Sequence, residues 1–586
     1  MPYWFLNGLL SGLLLLSGHL YASCDAPALA PSDVQGAGDR SALTGKTVTV
    51  EGVITLDSRQ PNGWRGFYLQ STSDQSDNDP RTSDALFVYT DRPGGKVGSK
   101  IQVTARVKEF HGLTELTRVS RLTICGLAKL PDPILLQLPW PGQAPPEHLE
   151  NMRVTFTQPL TLIGHYNFTR FGELVLSDQP QVIPTEHTQP GPKAHSMAME
   201  QIMGRVYLDD GRRTQNPSPL PWPAQLLTQG QPVRSGDRLT NLTGVLDYRF
   251  GHWRLQPTSQ PRLSKPSMRP EAPARSDGSN LRVVSLNLGN FFNGKGSDRS
   301  FEQSRGARHS QQFAVQKARL VTMLSRLDAD IIAASEMEND HYKRDSAIAE
   351  LATAMGRQWH YVRTPGSTGQ DAIRTDLLYR SDRVQAIGNP QRLTSGHFAL
   401  RGRPPLAQIF KPLGSATDSS VRIVVPHFKS KACGGATGKN RDQQDGQGCY
   451  AHRRTEEAEA VADWLALLPA QPHLAGTLLT GDLNSYSREW PLTTLEDSGL
   501  TNIIRDRQTC GADRCPNTTY RYQGRHGSLD HALVSENLKP RVVAAGAWPI
   551  NAEEFGALGY QGALASPTDT PWRSSDHNPL YIDLAL

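Results

Sequence analysis

At Leu281 the texture of the chain changes, and that change constrains the fold more than any single motif does. Upstream, apolar residues alternate over short spans at 47–54, 66–70, 85–89, 100–107 and 122–125, separated by turns bearing Pro and Gly. Five such segments predict a small β-barrel over residues 24–130. Residues 131–263 repeat the theme more loosely, with strands expected at 152–158, 173–177, 204–209 and 238–247, and predict a second β module of the same kind. Residues 264–280 are rich in Pro, Ser and charge without periodicity, which reads as a linker. From 281 to 586 strands alternate with amphipathic helices. Strands are expected at 282–287, 330–334, 375–379, 420–427, 477–483, 528–535 and 580–586, and helices at 313–327 and 455–468. This pattern makes one α/β domain.

A chain of 586 residues is too long for one core. The net charge of +5 permits a polyanionic partner without pointing to one. Residues 3–20 are almost wholly apolar and are followed by Tyr21-Ala22-Ser23-Cys24. They read as a secretory signal peptide over 1–23, because the run is short and no second apolar span of membrane length follows. Six cysteines, Cys24, Cys125, Cys433, Cys449, Cys510 and Cys515, then suggest disulfides. Proximity favours Cys433 with Cys449 and Cys510 with Cys515, although sequence does not fix the pairing.

Polar residues recur where the apolar strands of the α/β region run out: Asn287 and Asn290, Glu336, His427, Asp482 and Asn484, Asp530, and Asp576 with His577. Strand ends of layered α/β domains are where sites assemble. Singly each residue has a plainer explanation, since Gly, Asp and Asn end strands in turns and a Glu after a strand often caps a helix. Together they offer carboxylate and amide oxygens for a hard divalent ion and two imidazoles for proton transfer. In the β modules, Trp64, Arg65, Phe67, Tyr68, Tyr248, Arg249, Phe250, Trp253 and Arg254 could stack bases and meet phosphates. Ordinary packing of strand aromatics explains them more economically.

Five motifs carry a specific resemblance: Val284-Ser285-Leu286-Asn287, Asp330 to Glu336, Gly481-Asp482-Leu483-Asn484, Ser528-Leu529-Asp530-His531 and Ser575-Asp576-His577-Asn578-Pro579. In this order the chain resembles the endonuclease/exonuclease/phosphatase superfamily. Pro426 to Lys431, Asp445 to Cys449 and Ile550-Asn551-Ala552-Glu553 look like the ExeM/NucH-type extracellular endonucleases. The resemblance implies a multidomain protein in which OB-like β-barrel modules precede an α/β four-layer sandwich, two packed β-sheets flanked by helices.

It further implies Glu336 as principal ligand for Mg²⁺ or Mn²⁺, with Asn287 and Asp576 around it, and Ca²⁺ as a structural ion. Asp482 would orient or deprotonate the attacking water, Asn484 would donate to the phosphoryl oxygen, and His577, held by Asp530, would face the scissile phosphate. His427 would be the second proton-handling histidine. Asn290, Lys429, Arg453 and Arg573 are substrate-binding candidates, as are Lys431 and Arg454, though solvated charge is the plainer reading. The expected protein is a secreted monomeric nuclease acting on DNA, with RNA as a further substrate. A phosphoesterase acting on phospholipid headgroups or small phosphate esters is the alternative.

Overall fold

The computed structural model describes residue 24 and residues 27–140, 146–229, 232–265, 267–294, 300–301, 305–399, 402–416, 419–469, 471–564 and 567–586. The expected signal peptide lies outside the described residues. The chain forms two compact units.

In the first unit, β1 (Thr47–Ser58), β2 (Gly66–Gln70), β3 (Ala85–Tyr89), β4 (Ser99–Phe110) and β5 (Leu113–Leu127) close into a barrel of order β1-β2-β3-β5-β4. Alternation along the strands sends Val50, Ile54, Phe67, Leu69, Leu86, Val88, Ile101 and Val103 into its core. Tyr68 and Phe87 face the other way, onto Leu113 and Val245. The Tyr68 hydroxyl donates to Asp247 Oδ2 at 2.7 Å. These contacts draw Val245–Gly251 into the first unit together with Pro146–Val154, so the boundary expected at 130 is not a clean cut.

The remaining accessory strands do not form a second barrel. Leu160–Gly164, Leu174–Ser177, Arg205–Leu208, Arg238–Thr240, His252–Pro257 and Arg262–Lys265 belong to one open sheet of the second unit. Among its strands the buried Arg254 guanidinium meets both Glu173 and Asp209 at 2.8 Å. Trp253, Arg254, Phe67 and Tyr68 are all buried, whereas Phe250 is 71% exposed.

The α/β domain contains β6 (Leu281–Phe291), α1 (Ser310–Arg326), β7 (Ile331–Glu338), α2 (Ala347–Met355), β8 (Trp359–Tyr361), β9 (Ile373–Arg380), β10 (Val384–Arg392), β11 (Leu406–Pro412), β12 (Ser420–Val425), α3 (Ala451–Leu467), β13 (Leu474–Asp482), α4 (Trp490–Asp497), β14 (Leu500–Asn502), β15 (Asp530–Ser535), β16 (Val542–Ala547) and β17 (Leu580–Leu584). Two six-stranded sheets result, ordered β8-β9-β7-β6-β17-β16 and β10-β11-β12-β13-β15-β14. Successive side chains on each strand serve different layers. Val283, Ile331 and Leu377 meet Phe410, Val421, Ile423, Leu478 and Ala532 between the sheets. Their neighbours Val284, Leu286, Ile332 and Ala334 pack outward on Phe313, Leu320, Met323 and Leu324 of α1. On the far side Val424, Leu479 and Leu533 cover Ala458, Val461, Leu492 and Leu495 of α3 and α4.

The segment expected to be a linker is held by side chains of the α/β domain. Arg282, fully buried, grips Asp583 Oδ1 and Oδ2 at 2.6 and 2.7 Å and donates to the carbonyls of Pro273, Ala274 and Leu327. Arg275 pairs with Asp330 at 2.7 Å. Buried charge needs partners, and here the backbone of residues 273–274 supplies them, which fixes the segment. The disulfides are Cys24–Cys125, Cys433–Cys449 and Cys510–Cys515. Among the described residues no helix is long and apolar enough to cross a membrane.

Candidate active site

The polar strand ends converge where the two sheets meet. Asn287 stands near the end of β6 and Glu336 near the end of its parallel neighbour β7. Pairing on both sides of β7 slips at this point, passing from Ala334 to Met337 against β9. Inside the irregularity Glu336 has φ +60° and Asn290 has φ +55°. Bulges of this kind re-aim a side chain, and a glutamate held in the left-handed region is strained. The Asn290 N–H donates to Glu336 Oε2 at 2.8 Å, which fixes the carboxylate. Among the described residues, the buried Asn290 Oδ1 has no hydrogen-bond partner.

On the second sheet, His427 bridges to Asp482 just beyond the end of β12, and Asp482 lies directly opposite Asp530 on β15. Gly481 is required by close approach, since a Cβ there would sit 2.3 Å from the Pro426 carbonyl oxygen. Asp482 links the two sheets. Its Oδ2 accepts Asn287 Nδ2–H at 3.0 Å, and its Oδ1 accepts the Asn484 N–H at 2.9 Å. Asn484, with φ +46°, turns its amide back to donate to the Phe428 carbonyl at 3.1 Å. Burial pushes the Asp482 carboxyl up, but His427, His577 and the Asn484 N–H outweigh it and hold the group well below the usual carboxylate range.

His577 Nδ1 meets Asp530 Oδ2 at 2.7 Å, with both residues buried. Burial would make the imidazole a weaker base, yet Asp530, with Asp576 and Asp482 beyond it, pushes it up to about 10. Its backbone is pinned as firmly. Asn551 Nδ2 donates to the His577 carbonyl at 2.7 Å, and Asn578 Oδ1 accepts the N–H groups of Ile550, Asn551 and Ala552. The Ile550 to Glu553 motif is therefore a cradle for the histidine loop. Ser575 anchors the same loop to β6 by donating to the Asn287 carbonyl at 2.6 Å.

Three residues at the site carry no strong local signal in the sequence. Arg403 reaches from a loop to place Nη1 2.7 Å from His427 Nε2, closer than the 3.3 Å between that nitrogen and Asp482 Oδ2. Tyr520 packs its ring 4.6 Å from that of His577, and Tyr560 donates to the Gly289 carbonyl at 2.9 Å.

Of the substrate-binding candidates, Arg453 is engaged elsewhere, donating to Glu457 at 2.9 Å and to the His397 carbonyl. Lys431 pairs with buried Glu489, and burial brings its amine down to about 8. Arg454 is buried against the carbonyls of Cys449 and Gln447. Lys429 lies 4.3 Å over the Tyr450 ring, and Arg573 donates to the Asn551 carbonyl at 2.7 Å.

The donor set suits a hard divalent cation. Burial raises the affinity of Glu336 for a proton, and the Asp576 and Asp482 carboxylates raise it further against His427 and His577. Oxygen donors gathered at such mutual cost are what a small dication relieves. Asp482, Asp530 and His577 also present donor atoms within 4.8 Å of one another. An ion among those three would have to break the 2.7 Å His577–Asp530 bond.

Residues 145–267 match a domain of unknown function, DUF8508. Among curated proteins none matches the chain. The catalytic domain of human Nocturnin is similar to it in structure at 17% identity, covering 53% of this chain and 95% of that one, with a TM-score of 0.33. A mannosyl-6-phosphatase of Bacteroides thetaiotaomicron is similar at 16% identity, covering 52% and 100%, with a TM-score of 0.34. TDP2 of D. rerio in complex with a single-strand DNA product is similar at 14%, covering 52% and 97%, at 0.32. Residues 284–577, half of the chain, match the Endonuclease/Exonuclease/phosphatase family, and the chain belongs to that family.

Proposed function

We propose that the protein is an exported, divalent-metal-dependent nuclease that hydrolyses phosphodiester bonds of extracellular DNA by in-line attack of an activated water. The observation that carries this reading is the position of Asp482. It is bonded to Asn287 of the opposite sheet, adjoins His427, and lies within 4.8 Å of the Asp530–His577 pair. Glu336, Asn287 and Asp576 are the residues that would hold Mg²⁺ or Mn²⁺, and the bound ion would neutralise charge developing on the phosphoryl oxygens.

In this reading Asp482, kept ionised, orients the water and accepts its proton. Asn484 and protonated His577 donate to the phosphoryl oxygens, and Asp530 holds the imidazole in place. His427, with Arg403 against it, flanks Asp482 from the side. The closed barrel of the first unit, with its 1-2-3-5-4 strand order, fits an OB-like module. Three disulfides support an oxidising destination outside the cell.

Engagement of Arg453, Lys431 and Arg454 within the protein favours one alternative: a phosphoesterase for phospholipid headgroups or small phosphate esters, which needs no long cationic track. Purified protein incubated with supercoiled and linear DNA, with and without chelator, tests the proposal. Chelator-sensitive nicking of the circle is the expected result. Hydrolysis of phospholipid or phosphomonoester but not DNA would establish the alternative. DNA cleavage by Glu336→Ala at the wild-type rate would remove both.

A further inference from the structure

One short segment of the accessory region runs alongside the site. Residues Gln181–Val182 add a parallel strand to Arg525–Gly527 of the α/β domain, pairing Gln181 with Arg525 and Val182 with His526. The Ile183 N–H continues the ladder to the His526 carbonyl at 3.0 Å. Ile183 then packs with Tyr486 and Leu529, and Tyr520, the ring against His577, leans on the same cluster. Next comes the single turn Pro184–Glu186, whose last residue is 2% exposed.

The Glu186 carboxylate spans two loops. Its Oε1 accepts the Ser528 N–H, and its Oε2 accepts the Ser487 hydroxyl at 2.6 Å, with Arg505 Nε at 3.5 Å. Ser528 is two residues before Asp530, and Ser487 is three after Asn484. The adjoining Thr185 carbonyl accepts the Arg488 N–H at 2.9 Å, and its hydroxyl donates to Glu489 at 3.0 Å. The two loops are thus held to a residue 301 and 342 positions earlier in the chain. Gly527 leaves the room: a Cβ there would stand 2.8 Å from the Tyr486 ring and 3.0 Å from Glu186 Oε1.

We infer that Glu186 is a positioning residue for the hydrolytic site, supplied by the accessory domain, which sets where the Asp530 and Asn484 loops stand relative to one another. The inference rests on the proposed function for its kinetic consequence only; its geometric content is independent. An amide in place of this carboxylate either opposes its NH2 to the Ser528 N–H, or turns it to the Ser487 side, where the hydroxyl must reverse to accept and Arg505 loses its counter-charge. Displacement of a supporting group by a fraction of an ångström misaligns an oriented imidazole and lowers turnover while leaving substrate binding nearly intact.

The test compares full-length wild type, Glu186→Gln, Glu186→Ala and Glu173→Gln. The last breaks the Glu173–Arg254 pair, equally buried in the same accessory region but with no bond to either loop. The readouts are thermal unfolding, kcat and KM on bis(4-nitrophenyl) phosphate with Mg²⁺, and the NMR resonance of the His577 Nδ1–H proton, assigned by its loss in His577→Gln. The expected result for Glu186→Gln is a kcat lowered about 10–100-fold with KM little changed, and a shifted His577 proton. Glu173→Gln should lose stability but keep both readouts. If Glu186→Ala does not fold, the near-isosteric Gln variant decides. Wild-type kcat or an unmoved proton in Glu186→Gln overturns the inference, as does an equal loss of kcat in Glu173→Gln. If wild type hydrolyses no phosphoester, the proposed function falls, and the proton shift alone decides whether Glu186 positions Asp530.

Discussion

Replacing Glu336 with glycine should abolish turnover and yet leave a more stable protein than replacing it with alanine. At φ +60°, a residue with a Cβ is disfavoured by about 1–2 kcal/mol. Glycine escapes that cost but loses about 0.5–1 kcal/mol more chain entropy on folding. The balance leaves glycine ahead by about 0.5–1 kcal/mol, or roughly 1–2 °C in a domain of this size. Both variants lose the bond from the Asn290 N–H and remove a carboxyl made reluctant to ionise by burial, so those effects cancel in the comparison. Scanning calorimetry of the full chain with and without Mg²⁺ is the assay. Wild type should gain about 2.7 kcal/mol with the ion at 100 times its Kd, and neither variant should. Turnover should fall roughly 10³-fold in both. Alanine matching or exceeding glycine would refute the strain argument. Undiminished stabilisation by Mg²⁺ would refute Glu336 as a ligand.

Asp530→Asn should lower kcat about 10²–10⁴-fold in steady-state assays with KM nearly unchanged, because the negative charge that keeps His577 protonated across the 2.7 Å contact is lost. Asp583→Asn, which leaves the buried Arg282 without its counter-ion, should cost about 3–5 kcal/mol in urea unfolding. Its pH dependence has a definite sign. Burial pushes the Asp583 carboxyl up, but Arg282 and the Ser276 N–H hold it below its ordinary value. That contribution is complete above the ordinary carboxylate pKa of about 4 and is lost as pH falls below it, so wild type should lose more stability than Asp583→Asn on acidification. Opening the Cys433–Cys449 bridge, 16 positions apart in the chain, should cost about 3 kcal/mol by thermal unfolding of the double Ser variant.

What was legible in the sequence was local. Asp482 and Asn484 announce themselves because an apolar strand stops at Gly481, and the same pattern marks Asn287 and Glu336, whereas Asp576-His577 stand just ahead of a strand. Apolar alternation gave the barrel strands and both packing faces of β6 and β7. Arg403 left no trace, because a loop arginine looks like any solvated charge until the fold brings it to His427. The engagement of Arg453 was hidden for the converse reason: proximity to motifs in the chain says nothing of Glu457 one helical turn on, which accepts from its Nε. The second β region has strands enough for a barrel, but ring closure depends on register and pairing partners that alternation does not encode.

The placement of β17 bears on when the molecule becomes chemically competent. This strand inserts between β6 and β16, in the interior of its sheet rather than at a margin. Residues Asp576 and His577 immediately precede it, so they acquire a fixed address only once it is zipped in place. Loosening this one strand from its neighbours would therefore dismantle the site without altering a single residue in it.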